Sequence, residues 1–237
     1  MPRTDFYLDD FKIEFIETVK ETVLDEYLAK GWYRMGALMH ITNTLGANGK
    51  ILPVKWIRYD VDAVALNRSN RKIVNKNKNF SVTIKPYRMT KQLEQLFIKY
   101  FFSITFDMWP YLEAATNDPE CKIFNTHVIK IKDGNKLIAA GIFDIGKDSI
   151  AAIRNFYDPA YKKYSLGKHL MLLTYKYCLA HGIKWFYPGY IIPGHPKFDY
   201  KLQKFIQWIM KNGYRILKLI LLHTTELSES KTFFYFE

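Results

Sequence analysis

The sequence predicts an α/β fold built on a mixed, mainly antiparallel sheet flanked by helices, with an α+β portion at its N-terminal end. Three observations point there. The second half of the chain orders its patterns as helix, three β-rich runs, helix, strand. The β-rich runs are joined by short turns such as Asp133-Gly134, which favour antiparallel neighbours. Half of the 237 residues are apolar (49%) with no low-complexity linker between them, so the chain can bury a core.

From the N-terminus, Phe11, Ile13, Phe15, Ile16, Val19, Val23 and Leu28 recur among acids and lysines, which predicts a helix over 11–29 ended near Gly31. "GALMHITNTL" and "ILPVKWIRYDV" flank an Asn48-Gly49 turn and read as a hairpin. "NRSNRKIVNKNKNF" carries five basic residues and no acid, and leads into a strand, "SVTIKPYRM". A helix is expected over 91–102. The runs "THVIKIK", "KLIAAGIFDIG" and "DSIAAIRNFYDP" form a three-strand meander. A helix over 166–180 follows, with Ser165 as N-cap and Gly182 beyond its end, and then the strand "IKWFYPGY". Residues 1–88 are taken as an N-terminal portion with the basic stretch, and 89–237 as the main domain with a C-terminal extension.

Charge narrows the partners. A formal charge of +12 calls for an anionic one: nucleic acid, a phosphate-bearing cofactor or an acidic membrane surface. The start, Met1 to Phe6, does not read as a signal peptide. The apolar run over 205–222 is interrupted by Lys211, Asn212, Gly213, Arg215 and Lys218, too polar for a membrane span. A cytoplasmic chain is expected. Only Cys121 and Cys178 are present, without a CxxC pair or histidines at ligand spacing, so no metal site and no disulfide framework are expected.

A strand, a glycine-bearing turn and a helix place free backbone N–H groups at the helix start, where an anion can sit. The acyl-CoA N-acetyltransferase (GNAT) fold has this element order. It holds the cofactor pyrophosphate on that helix and opens its acyl site between the strands on either side. "YKKYSLGKH" echoes the usual glycine-rich loop through Gly167 alone.

Four ordered motifs narrow the reading further: Tyr157-Asp158-Pro159; Ser165-Leu166-Gly167; Phe186-Tyr187-Pro188-Gly189-Tyr190-Ile191-Ile192; and Pro196-Lys197-Phe198-Asp199-Tyr200-Lys201. In this order they resemble the C-terminal region of the arginyl-tRNA-protein transferase family. "WYRMG" (Trp32 to Gly36) and "LNRSNRKIVNKN" resemble that family's N-terminal motifs more faintly. The family's cysteine cluster between those two motifs is absent, replaced by "HITNTLGANGKILPVKWI", and Phe198 stands where the family has methionine.

The resemblance implies an N-acetyltransferase relative that uses aminoacyl-tRNA as co-substrate, with no further cofactor, and transfers the aminoacyl group to an α-amine, usually a protein N-terminus. It implies a catalytic set of Tyr187, Lys197, Tyr200 and Lys201, with Tyr187 and Tyr190 as cleft walls and the lysines facing the anionic donor. Substrate contacts are expected from Tyr33, Arg34, Tyr157, Asp158, Ser165, Leu166, Gly167, Gly189 and Tyr190. Phosphate contacts are expected from Arg68, Arg71, Lys72, Lys76 and Lys78. An aminoacyl ester is already activated, so a dedicated strong base is not required, and His195, between Gly and Pro, is read as incidental. The plain readings are surface lysines, a solvated basic face, a core-edge Arg34 and a helix cap at Ser165. Two other functions fit the residues: an acyl-CoA-dependent N-acyltransferase, and a non-catalytic relative that binds tRNA or protein.

Overall fold

The computed structural model describes residues 11–19, 21–47, 50–63, 66–105, 111–117, 122–194 and 201, and the backbone alone of 209–211, 214–216 and 220–222. Its elements are β1 (Lys12–Phe15), α1 (Glu21–Ala29), β2 (Tyr33–Met35), β3 (Leu38–Ile41), β4 (Thr44–Ala47), β5 (Lys50–Pro53), β6 (Lys55–Asp60), α2 (Arg68–Lys76) and β7 (Ser81–Pro86). There follow α3 (Lys91–Phe101), α4 (Glu113–Thr116), β8 (Thr126–Asp133), β9 (Lys136–Ile145), β10 (Ser149–Tyr157), a 3-10 segment (Pro159–Tyr164), α5 (Leu166–Ala180) and β11 (Trp185–Ile191). The short strands β12 (Ile209–Lys211), β13 (Tyr214–Ile216) and β14 (Ile220–Leu222) complete the order.

The main sheet runs β14-β6-β11-β10-β9-β8-β7. Every neighbouring pair in it is antiparallel except β10 and β11, which are parallel. A parallel pair needs a long crossover, and α5 provides it. This is the mixed, mainly antiparallel fold that the sequence predicts. The helix over 166–180 and the meander fall where expected, whereas the expected hairpin is reduced to Thr44–Ala47 paired with Lys50–Pro53, the flanking runs continuing into β3 and β6, which pair with β1 and β2 and with β11 and β14 instead.

Both faces of the sheet are covered. On one, α5 packs Leu166, Leu170, Leu172 and Cys178 over Ile129, Ile138, Ile150 and Phe186, with Ile73 and Val74 of α2 at its edge. On the other, α3 sets Leu93, Leu96 and Phe97 against Ile142 and Phe156. Beside it, Leu24 and Leu28 of α1 and Met39 of β3 meet Trp56, Ala151 and Tyr187.

Two further expectations change. Residues 11–29 are not one helix: Lys12 to Phe15 pair with Leu38 to Ile41 as an edge strand, and the helix starts only at Glu21. The apparent helical period came from joining the period-two run Phe11, Ile13, Phe15 to a separate amphipathic turn. The boundary at residue 88 also crosses one sheet, because β6 and β7 pair directly with β11 and β8.

Candidate active site

The parallel pairing of β10 and β11 covers only Ser149 with Trp185, Ile150 with Phe186 and Ala151 with Tyr187. Beyond it each strand stays bound to its outer neighbour: β10 reaches Tyr157 beside Ala139, and β11 reaches Ile191 beside Lys55. Register breaks accompany the separation, between Ala152 and Arg154 and between Phe186 and Gly189. A gap therefore opens in the sheet, and bulges are a common way to re-aim a strand at such a place.

Tyr33 closes the narrow end of this gap. Its hydroxyl bonds to the carbonyl of Ala152 at 2.7 Å and to that of Tyr187 at 2.8 Å, and its ring stacks on Trp56 at 4.5 Å. Gly189 follows on β11 with φ +91°, where only glycine is free of strain. A β-carbon there would stand 3.6 Å from Lys201 Nζ and 4.0 Å from Tyr33 Oη, which places the lysine amine and the tyrosine hydroxyl against the same bare backbone.

Lys201 Nζ donates to the Tyr190 carbonyl at 2.7 Å, while Tyr59 Oη donates to the Lys201 carbonyl at 2.6 Å and pins its backbone. Burial pushes the Lys201 amine down to about 7. Near neutral pH a fraction of it is uncharged and able to take a proton. Tyr190 lies half-buried, edge-on to Trp56 at 5.4 Å. The Tyr187 ring is core rather than wall: it is 2% exposed, packs with Met39 and Trp56, and meets the Arg58 side chain through its hydroxyl, leaving its carbonyl to edge the gap.

The start of α5 lies beside the end of β10, at Tyr157. Ser165 has φ 55° and ψ 43°, and its side chain makes no capping hydrogen bond, so it does not act as the side-chain cap expected of it. Leu166 is fully buried and anchors the turn, and Gly167 lies against the Tyr157 ring, 3.5 Å from where a β-carbon would sit. Asp158 is 1% exposed and caps the 3-10 segment through Ala160 N–H at 3.0 Å. Burial alone would raise its carboxyl, but Lys99 and Lys136, at 2.8 and 2.9 Å, bring it down to about 2.

The basic stretch is helix α2, capped by Asn67, and it is tied to this turn. Asn77 Nδ2 donates to the Tyr164 carbonyl at 3.0 Å and Lys76 Nζ to the Lys163 carbonyl at 2.5 Å. Arg68, Arg71, Lys72, Lys76 and Lys78 are exposed, as are Lys162 and Lys163, so segments far apart in sequence form one basic flank beside the start of α5.

Arg34 lies elsewhere. Its side chain is 1% exposed, pairs with Asp144 at 2.8 Å, donates to Thr126 Oγ1 and the Gly36 carbonyl, and lies over the Phe124 ring at 4.1 Å. The expected substrate contact is instead a buried clamp holding β2 to the main sheet, because its guanidinium donors are directed at interior acceptors. Lys197, Tyr200, His195 and Cys121 lie outside the described residues. Cys178 is buried, its thiol pushed up to about 12 by burial. Among the described residues no three His, Cys, Asp or Glu side chains group to hold a metal ion, and no helix is long and apolar enough to cross a membrane. Sequence reading missed Tyr59, Trp56 and Arg154 at the gap. Arg154 alone carried a signal, as the one charge inside "SIAAIRNFY".

A sheet parted between two parallel strands, a crossover helix starting beside the parting and a buried amine at its edge define the class of acyl-group transferases. The chain belongs to the arginine-tRNA-protein transferase family: residues 78–208 match the family model "Arginine-tRNA-protein transferase, C terminus". Among its relatives, the "Aspartate/glutamate leucyltransferase" of Leptospira interrogans serogroup Icterohaemorrhagiae serovar copenhageni is 28% identical over 194 residues, covering 79% of this chain and 74% of that protein. The protein of the same name from Alcanivorax borkumensis is 30% identical over 149 residues, covering 62% of each. A solved structure, "Crystal structure of FemX", overlays with a TM-score of 0.41 at 10% identity, covering 73% of this chain and 61% of that one.

Proposed function

We propose that this transferase moves a leucyl group from charged tRNA to the α-amine of a protein that begins with aspartate or glutamate. The observation that carries the reading is the low-pKa Lys201 amine at the edge of the β10/β11 gap, in a chain of this family whose relatives bear that name. The donor's phosphates run along the flank of Arg68, Arg71, Lys72, Lys76 and Lys78 toward Ser165, Leu166 and Gly167 at the start of α5, where backbone N–H groups and lysines favour anions. Both sides of position 88 contribute: α2 supplies that basic helix, β10 and β11 the gap, and Tyr33 its closed end. Lys197 and Tyr200, in the segment that leads to Lys201, contact the donor ester.

In the step itself the acceptor nitrogen attacks the ester carbonyl carbon. A C–N bond forms, the C–O bond to the tRNA ribose breaks, and the ribose oxygen leaves with a proton. Lys201 takes the proton that the attacking amine loses and can return it to that oxygen. Tyr33 holds the gap at a fixed width and Gly189 admits the substrate backbone. Holding amine and ester in line is the larger contribution, because the ester is already reactive.

The test offers the purified chain tRNA charged with labelled leucine and peptides beginning with Asp, Glu or a neutral residue. Label is expected in the acidic peptides. Label from acetyl-CoA, with none from leucyl- or arginyl-tRNA, would overturn the reading.

A further inference from the structure

The bulge in β10 decides where Arg154 points. Ala152 stands opposite Phe143 and Arg154 opposite Ile142, so Ile153 is the extra residue. Without it Arg154 would share the α5 face with Ala152; with it the side chain joins Ile142 and Phe156 on the face under α3. There the guanidinium is flanked by Tyr190 across the gap and by Tyr100 of α3. Its Nε is closed to solvent and has no hydrogen-bond partner among the described residues.

The buried carboxylates are engaged elsewhere, Asp144 with Arg34 and Asp158 with Lys99 and Lys136. Arg34, by comparison, is buried with a carboxylate, a hydroxyl, a carbonyl and a ring around its guanidinium. A half-buried cation flanked mainly by rings costs stability unless an anion completes it. That anion has a direction of approach. The basic flank for a phosphate-bearing donor follows α2 and the start of α5, on the other face of the sheet, whereas Arg154 faces the side under α3 and next to β2 and β3.

We propose that Arg154 binds the side-chain carboxylate of the acceptor's first residue and so selects acidic N-termini. This rests on the acceptor class proposed above. The geometry suits it, because Lys201 Nζ bonds to the Tyr190 carbonyl while Arg154 lies beside the Tyr190 side chain, so one amino acid at the gap can present its amine to the first and its carboxylate to the second.

Two readouts test it: binding of labelled peptides beginning with Asp, Glu, Asn or Gln, followed by fluorescence anisotropy, and transfer from leucyl-tRNA to the same peptides. The unaltered chain is expected to favour acidic over amide peptides by about tenfold or more. Arg154→Gln should erase that preference by weakening the acidic peptides alone, and Arg154→Lys should keep part of it. Arg154→Met should melt at or above the temperature of the unaltered chain, since it removes a charge without a counter-ion, whereas a structural arginine would give a lower value. No preference in the unaltered chain, a preference that survives in Arg154→Gln, or equal losses on acidic and amide peptides overturns the assignment. Arg154-dependent binding of acidic peptides with no transfer from any charged tRNA would sink the transferase reading and leave this one standing.

Discussion

The Tyr33 hydroxyl stands 2.8 Å from the carbonyl of Tyr187, and shares its single proton with the carbonyl of Ala152 on the neighbouring strand. It thereby bridges β10 and β11 at the point where their own pairing stops. Tyr33→Phe keeps the ring on Trp56 and removes only the bridge. Stability should fall by about 1–3 kcal/mol, the cost of leaving a buried polar group unsatisfied, and denaturant unfolding measures it. Transfer should fall with it as the gap loses its fixed width. A loss under about 0.5 kcal/mol, the range of an ordinary surface change, would mean that the carbonyls find other donors.

Lys201 makes a pH-dependent prediction. Its amine is lowered to about 7 by burial, so the transfer rate should rise with pH through about 7 and level off only once the acceptor amine, near about 8, is neutral as well. Lys201→Met should remove that limb and leave only the titration of the acceptor amine near about 8. The stability effect has a defined sign. Between the folded value and the higher unfolded one, the unfolded chain holds a proton that the folded chain lacks, so stability gains with rising pH across that window. The melting advantage of Lys201→Met should therefore be full below pH 7 and fade as pH rises above it. An advantage that stays constant across this range would show that the amine titrates normally.

Much of the fold is legible in the sequence where patterns are uninterrupted and bounded by turn residues. The helix over 166–180 lies between Ser165 and Gly182, and β8 and β9 meet at Asp133-Gly134. The parallel pair follows from the order alone, because a helix separates its strands. What is not legible depends on partners far along the chain. The run over 11–15 becomes a strand because Leu38 to Ile41 lie beside it, and Arg34 becomes a clamp because Asp144, 110 residues away, is its counter-ion. The motif residues Gly189 and Lys201 could be marked from sequence, but not that they meet, nor that burial lowers the amine. A single bulge, invisible in a period-two pattern, sets the face of Arg154.

The Arg34–Asp144 pair predicts a cost of a different kind. Arg34→Met alone leaves the Asp144 carboxylate buried with Thr126, and should destabilise by about 3–5 kcal/mol. Replacing both, Arg34→Met with Asp144→Leu, should recover most of that, because an apolar pair of similar size avoids the desolvated charge. Thermal unfolding of the single and double variants decides it. The folded fraction of the single variant should keep its kcat, since Arg34 acts by holding β2 in place. A selective loss of kcat with an unchanged melting temperature would return Arg34 to the substrate.

The basic flank predicts a salt signature. Arg68, Arg71 and Lys72 are exposed on α2, and the bond that Arg71 donates from its guanidinium to the Leu66 carbonyl is itself exposed. Replacing all three with alanine should cost little stability, under about 0.5 kcal/mol per exposed position. The effect on tRNA should be larger, because each phosphate contact contributes about 0.7–0.9 to the slope of log K against log salt. The triple variant should bind tRNA more weakly at low salt and show a slope shallower by about 2 to 3, read by filter binding across a salt series. Transfer at saturating tRNA should be nearly intact, since these side chains sit across the sheet from Arg154 and act on the donor's body rather than its ester. An unchanged slope would place tRNA on another face. A triple variant that fails to fold would show that α2 holds the turn between Tyr164 and Ser165 through these side chains as well as through Asn77 and Lys76.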